Sequence, residues 1–121
     1  MPAPRRADRV SREIQRELTR LLQREVRDPR AQEATITRVE VTDDLRECTA
    51  WFVPLGDIDA AEKIEELSKG LNKAAAFLQG RVGRGLRLRR TPRLKFEYDT
   101  GFKNLVHVHE LLATLNEDPS E

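Results

Sequence analysis

Apolar side chains recur three or four positions apart at Val10, Ile14, Leu18, Leu21, Leu22 and Val26, and Asp28-Pro29 ends the run. At about 100° per residue this spacing predicts a helix over residues 7–26 with one apolar side. Arg5, Arg9, Arg12, Arg16, Arg20, Arg24 and Arg27 fall close to the opposite side. Thr35 to Thr42 is rich in β-branched residues, Asp43-Asp44-Leu45-Arg46 supplies turn chemistry, and Cys48 to Val53 is again strand-like, which together predict a hairpin. In the second strand Cys48, Ala50 and Phe52 share one face, and this smaller set suits packing under helices. Trp51 then falls on the open face, although burial is the commoner fate of a lone tryptophan.

Past Pro54-Leu55-Gly56, Asp57 or Asp59 can cap a second helix whose apolar stripe runs through Ile64, Leu67, Leu71, Ala74 or Ala75, Leu78 and Val82. Gly80, Gly83 and Gly85 each weaken a helix by about 1 kcal/mol relative to alanine, so the element is expected to kink or break past Leu71, giving two pieces. With unbroken phase, Phe77 lies on the polar side beside Lys73, Arg81 and Arg84, where a ring among cations can stack on a base. With a rotated phase it is core. A third strand follows Pro92, with Leu94, Phe96 and Tyr98 turned inward and Arg93, Lys95 and Glu97 turned out. Phe102, Leu105, Val106, His109, Leu112 and Leu115 predict a short closing helix. Residues 1–116 thus read as one domain, and 117–121 as a solvated tail.

Charge changes this picture of an ordinary small domain. The net charge is only +1, yet residues 1–30 sum to +4 and 71–105 to +7, against −6 for 31–70 and −4 for 106–121. Two basic segments set the local field, and a phosphate-rich partner is the one they attract. Of the 22 cations 17 are arginine, whose planar guanidinium pairs bidentately with phosphate and stacks on bases.

Candidate catalytic chemistry is sparse. Asp43 and Asp44 at a turn suit backbone hydrogen bonding better than acid–base work. His107 and His109, two apart, point away from each other on a helix with no further ligands nearby in sequence, so no metal site is expected. Cys48 is the single cysteine and cannot form an internal disulfide. No apolar run reaches the length of a membrane-spanning helix and no signal peptide precedes the first helix, which reads as a cytoplasmic chain without membrane attachment. Neither an enzyme nor a cofactor is implied. Gly80-Arg81-Val82-Gly83 has the form of the loop with which KH domains clamp a nucleic-acid backbone, a short motif in a glycine-rich stretch.

The order helix, strand, strand, helix, broken helix, strand is that of an α+β fold, KH-like type II (αββααβ). Asp8-Arg9-Val10, Asp28-Pro29-Arg30, Val41-Thr42-Asp43-Asp44-Leu45, Leu71-Asn72-Lys73-Ala74-Ala75-Ala76-Phe77-Leu78 and Leu86-Arg87-Leu88-Arg89-x-Thr91-Pro92-x-Leu94-x-Phe96-x-Tyr98-Asp99 stand in that order over nearly the whole chain. Together these blocks resemble the ribosome-binding factor A family. The resemblance implies a monomeric assembly factor that binds the free small (30S) ribosomal subunit, assists late maturation and processing of 16S rRNA, and matters most in the cold. It also implies a helix–kink–helix at Ala74-Ala75-Ala76, where alanine at position 76 replaces the family's glycine and makes the kink shallower. Gly80 or Gly83 then takes part of the bend.

The expected RNA-binding residues are Lys73, Phe77, Arg81, Arg84, Arg87, Arg89, Arg90, Arg93 and Lys95, with Arg5, Arg9, Arg12, Arg16 and Arg20 in a secondary role. Two other functions fit the same chain. One is a KH module that reads a short single-stranded RNA through Gly80-Arg81-Val82-Gly83. The other is a protein-interaction domain whose acidic stretch, Asp57 to Glu66, docks a ribosomal protein or an assembly GTPase.

Overall fold

A computed structural model describes residues 5–24 and 33–116. The elements are α1 (Arg6–Arg24), β1 (Ala34–Val41), β2 (Glu47–Pro54), α2 (Ala61–Gly85), β3 (Arg93–Tyr98) and α3 (Thr100–Asn116). Val26, Arg27, Asp28-Pro29-Arg30 and the expected tail lie outside the described residues. The sheet has the order β1-β2-β3, with β1 antiparallel and β3 parallel to β2. A parallel neighbour cannot be reached by a tight turn, and α2 is the crossover that makes the pairing possible.

The two amphipathic helices cover one face of the sheet. Ile14, Leu18, Leu21 and Leu22 of α1 and Leu67, Leu71, Leu78 and Val82 of α2 meet Val39, Cys48, Ala50, Phe52, Leu94 and Phe96 of the strands in one buried cluster. Alternation follows the expected parity in β3 and in β2 up to Phe52, after which Val53 and Pro54 are both buried, and Arg93, Lys95 and Glu97 are exposed. Burial pushes the Cys48 thiol up to about 12. Because that value is raised in the folded state, the thiol adds nothing to stability loss below its unfolded value, and stability then falls as the pH climbs towards the folded value. Cys48→Ala should therefore flatten the loss of stability between pH 8 and pH 10 by about 1 kcal/mol, read from denaturant midpoints, and native Cys48 should resist alkylation at pH 8.

Helix side chains also bond the two edge strands of the sheet. On β1, the Ser11 hydroxyl accepts the Val41 N–H at 3.0 Å. On β3, the Phe96 N–H donates to Asn72 Oδ1 at 3.1 Å, the Asn72 amide donates to the Phe96 carbonyl at 3.3 Å, and Gln79 Oε1 accepts the Leu94 N–H at 3.1 Å. On β3 these bonds take the place that a further strand's backbone would fill.

Three expectations change. The break in α2 is not there: the helix runs without interruption through Ala74-Ala75-Ala76 and all three glycines up to Gly85, and its buried positions keep one phase from Leu67 to Val82. Alanine is the strongest helix former, no proline interrupts the run, and packing offsets the glycine cost. Neither Asp57 nor Asp59 caps α2, whose N-cap residue is Ala60 without a side-chain bond. Asp57 instead accepts the Asp59 N–H at 3.0 Å, a turn that competes with capping.

α3 is the third change. It has 17 residues and does not close the core. Asp99, buried beside the Thr37 hydroxyl at 2.6 Å, caps it by accepting the Phe102 N–H at 2.9 Å. Further along, His107 pairs with Asp59 at 2.7 Å. Leu105, Val108, Leu111, Leu112 and Leu115 remain exposed. The polar side is thus the tethered one, an inversion that apolar periodicity alone does not reveal.

Candidate nucleic-acid interface

The unbroken phase of α2 sets the first surface. Lys73, Phe77, Arg81 and Arg84 fall within about 80° of arc, beside the apolar stripe that holds the helix on the sheet. Phe77 is 51% exposed, which settles the two readings of that ring in favour of the polar side. The Arg81 guanidinium lies 5.9 Å from its centroid, at the outer limit of a cation–π contact. An exposed ring flanked by cations is the arrangement that stacks a base while phosphates are neutralised alongside.

Arg93 and Lys95 lie elsewhere. The pleat places them on the open face of the sheet, away from the helices, with Thr49, Trp51 and Glu97 as neighbours. Lys95 Nζ lies 3.6 Å from Glu97, and Glu40 and Glu47 offset the remaining positive charge. Trp51 is half-buried there, with the Arg38 guanidinium 3.9 Å above its ring. Arg38 was not among the expected residues, because nothing local marks it out. A bulge at Thr37 brings it opposite Trp51, and that pairing is a matter of register.

The arginine stripe of α1 is exposed opposite the buried side, as expected. Part of its charge is already engaged: Arg5 pairs with Asp43 at 3.1 Å and Arg20 with Glu17. Arg16 and Arg20 share a concavity with Leu86, so this stripe reaches the C-terminal end of α2.

That end is a tight reversal. The Leu88 N–H donates to the Gly83 carbonyl at 2.9 Å and the Arg87 N–H to the Arg84 carbonyl at 3.3 Å, the bond pair of a Schellman cap. Its left-handed position, φ 54°, is held by Arg87, where glycine is usual. A non-glycine residue there costs about 1 kcal/mol or more. Arg87→Gly should accordingly raise the denaturation midpoint by the equivalent of about 1 kcal/mol while weakening RNA binding, a split that separates the residue's charge from its backbone.

Other candidates change character in three dimensions. Gly80-Arg81-Val82-Gly83 lies inside α2 with Val82 and Gly83 buried, so its backbone is not a loop open to phosphate. Asp44 serves the hairpin turn, accepting from the Thr42 hydroxyl at 2.6 Å and the Arg46 N–H at 3.1 Å, whereas Asp43 pairs with Arg5. Of the acidic stretch, Asp59 holds Lys103 and His107 and Glu65 pairs with Lys69. Among the described residues, no group of three or more His, Cys, Asp or Glu side chains is placed to hold a metal ion. None of their helices is long and apolar enough to cross a membrane.

Comparison with known proteins meets this geometry over nearly the whole chain. The family model described as ribosome-binding factor A matches residues 6–112. The chain belongs to the ribosome-binding factor A family. The ribosome-binding factor A of Ligilactobacillus salivarius is 40% identical over 111 residues, covering 92% of each chain. A Thermotoga maritima protein described as a ribosome binding factor A, solved by NMR, superposes with a TM-score of 0.69 at 32% identity over 84% of this chain and 93% of that one. The Thermus thermophilus ribosome binding factor A, fitted into the cryo-EM map of a 30S complex, shares the fold at a TM-score of 0.56 and 24% identity, over 72% of this chain and 88% of that one.

Proposed function

We propose that this chain is a non-enzymatic assembly factor that binds the free 30S subunit in the cytoplasm and assists late maturation and processing of its 16S rRNA. One copy acts per subunit as a single domain over residues 1–116, and demand is greatest in the cold, where misfolded RNA rearranges slowly. The observation that carries this reading is the α2 surface, where Lys73, Arg81 and Arg84 surround exposed Phe77 and continue through Arg87 into Arg89 and Arg90. The α1 arginines assist at longer range, and Arg93 and Lys95 contribute less because acids surround them. Ala74, Ala75 and Ala76 continue the helix between the two ends of that stripe. An assembly GTPase or a ribosomal protein can meet Glu62 and Glu66, which remain exposed.

Co-sedimentation with separated ribosomal particles tests the reading. The protein should pellet with free 30S subunits in preference to 50S subunits and 70S ribosomes. Four phosphate contacts give a log–log salt slope of about −3, so a fourfold rise in salt should lower affinity about sixtyfold. Equal pelleting with all particles, or a flat salt response, would rule the proposal out.

A further inference from the structure

A cleft of about 420 Å³ opens where the start of α1, the β1–β2 turn and the α2–β3 linker meet. That volume is in the range of small-ligand sites. Four arginines line it: Arg6 from α1, Arg46 from the turn, and Arg89 and Arg90 from the linker. All four are exposed, and Arg6, Arg89 and Arg90 form no ion pair among the described residues. The floor is apolar, with Val10 and Pro92 buried and Leu45 and Leu88 half-buried.

The walls are held by the fold. The Arg93 N–H donates to the Arg46 carbonyl at 2.8 Å, joining linker to turn, and the Leu45 N–H donates to the Thr42 carbonyl at 2.8 Å. Leu45 in the floor and Arg87, next in the chain to Leu88, both hold left-handed backbone, at φ 60° and 54°. Such backbone persists only where the surroundings over-determine it. Asp44 is the acid in the lining. Its Oδ1 is occupied by Thr42 and Arg46, and those two bonds, with the Arg46 charge, hold its carboxyl below the usual carboxylate range. The remaining oxygen is an acceptor for a hydroxyl or an amine, and it keeps phosphate on the arginine side.

We propose that this cleft seats one nucleotide of a single-stranded RNA, its base or ribose on the Val10–Leu45–Leu88–Pro92 floor and its two flanking phosphates on the arginines. Guanidinium groups arriving from three elements suit phosphates on both sides of one nucleoside, whereas a free mononucleotide offers a phosphate on one side only. The reversal at Arg87 connects the cleft to the α2 stripe, so a strand stacked at Phe77 has a cationic path into it. The inference rests on the RNA-binding reading above and adds a seat for an extruded nucleotide. Nucleotide chemistry is recognised here by an apolar platform and fixed guanidinium forks.

Amide spectra of the ¹⁵N-labelled protein, titrated with a single-stranded adenosine decamer, with AMP and with inorganic phosphate, test it. The decamer should shift the amides of Leu45, Arg46, Leu88, Arg89 and Thr91 with an affinity at least tenfold above that of AMP, and AMP should exceed phosphate. Arg46→Gln with Arg90→Gln should lower decamer affinity at least tenfold with the dispersed spectrum retained, and Arg46→Lys with Arg90→Lys should restore part of it. AMP binding as tightly as the decamer would overturn the RNA source, and phosphate matching AMP would overturn the seated base. Decamer shifts confined to the Lys73–Arg84 stripe would overturn the cleft and leave the RNA-binding reading standing. A decamer that shifts no amide would overturn both.

Discussion

Lys73→Glu, Phe77→Ala and Arg84→Glu combined should lower affinity for the free 30S subunit at least a hundredfold, with the circular dichroism spectrum unchanged. Loss of a stacked ring costs about 1–3 kcal/mol per base, and each reversed cation converts a phosphate contact into a repulsion. Together these exceed about 3 kcal/mol, and a factor of ten corresponds to about 1.4 kcal/mol. The three side chains are exposed, so each substitution should move stability by less than about 0.5 kcal/mol. Arg12→Glu with Arg16→Glu on α1 should weaken binding to a smaller degree and reduce the salt slope. Co-sedimentation of both variants ranks the two surfaces, and the opposite order would transfer the primary contact to α1.

Gly83→Ala should destabilise the fold by about 2 kcal/mol, a fall of about 8 °C in Tm for a domain of this size. Helix propensity alone argues the other sign, since alanine in a helix is favoured over glycine by about 1 kcal/mol. Packing wins because a Cβ at Gly83 would overlap Thr91 Oγ1 and come within 3.2 Å of Thr91 Cβ. Thr91 is β-branched and has little rotamer freedom with which to move aside. Thr91→Ala added to Gly83→Ala should recover more than half of the loss in a thermal melt. A neutral or stabilising Gly83→Ala would mean that the α2–linker contact is loose.

The same contact shows why the glycines of α2 do not break it. Gly80, Gly83 and Gly85 look like interruptions along the chain, but Gly83 is needed where the linker crosses the helix, and the helix continues through all three. Along the sequence, residues 71–105 also read as one basic segment. In the fold they divide among the α2 stripe, the cleft at the linker and the open face of the sheet, because the pleat and the crossover send neighbours in sequence to opposite sides. Arg6, Arg38 and Arg46 went unnoticed for the converse reason: they are far apart in sequence and carry no local signal.

Periodicity by itself determined α1, the hairpin, the alternation of β3 and the exposed position of the arginine stripe, since each depends on a repeat of 3.6 or 2 residues that a short segment contains in full. The ordered blocks from Asp8 to Asp99 determined the family. Only the tertiary structure decided that Phe77 faces water, that Asn72 and Gln79 bond the edge of β3, that α3 turns its apolar side outward, and that four arginines from three elements share a cleft. Those outcomes depend on which element packs against which face. A side chain's own neighbours in sequence do not specify that, because burial and pairing are settled by contacts closed over long stretches of chain.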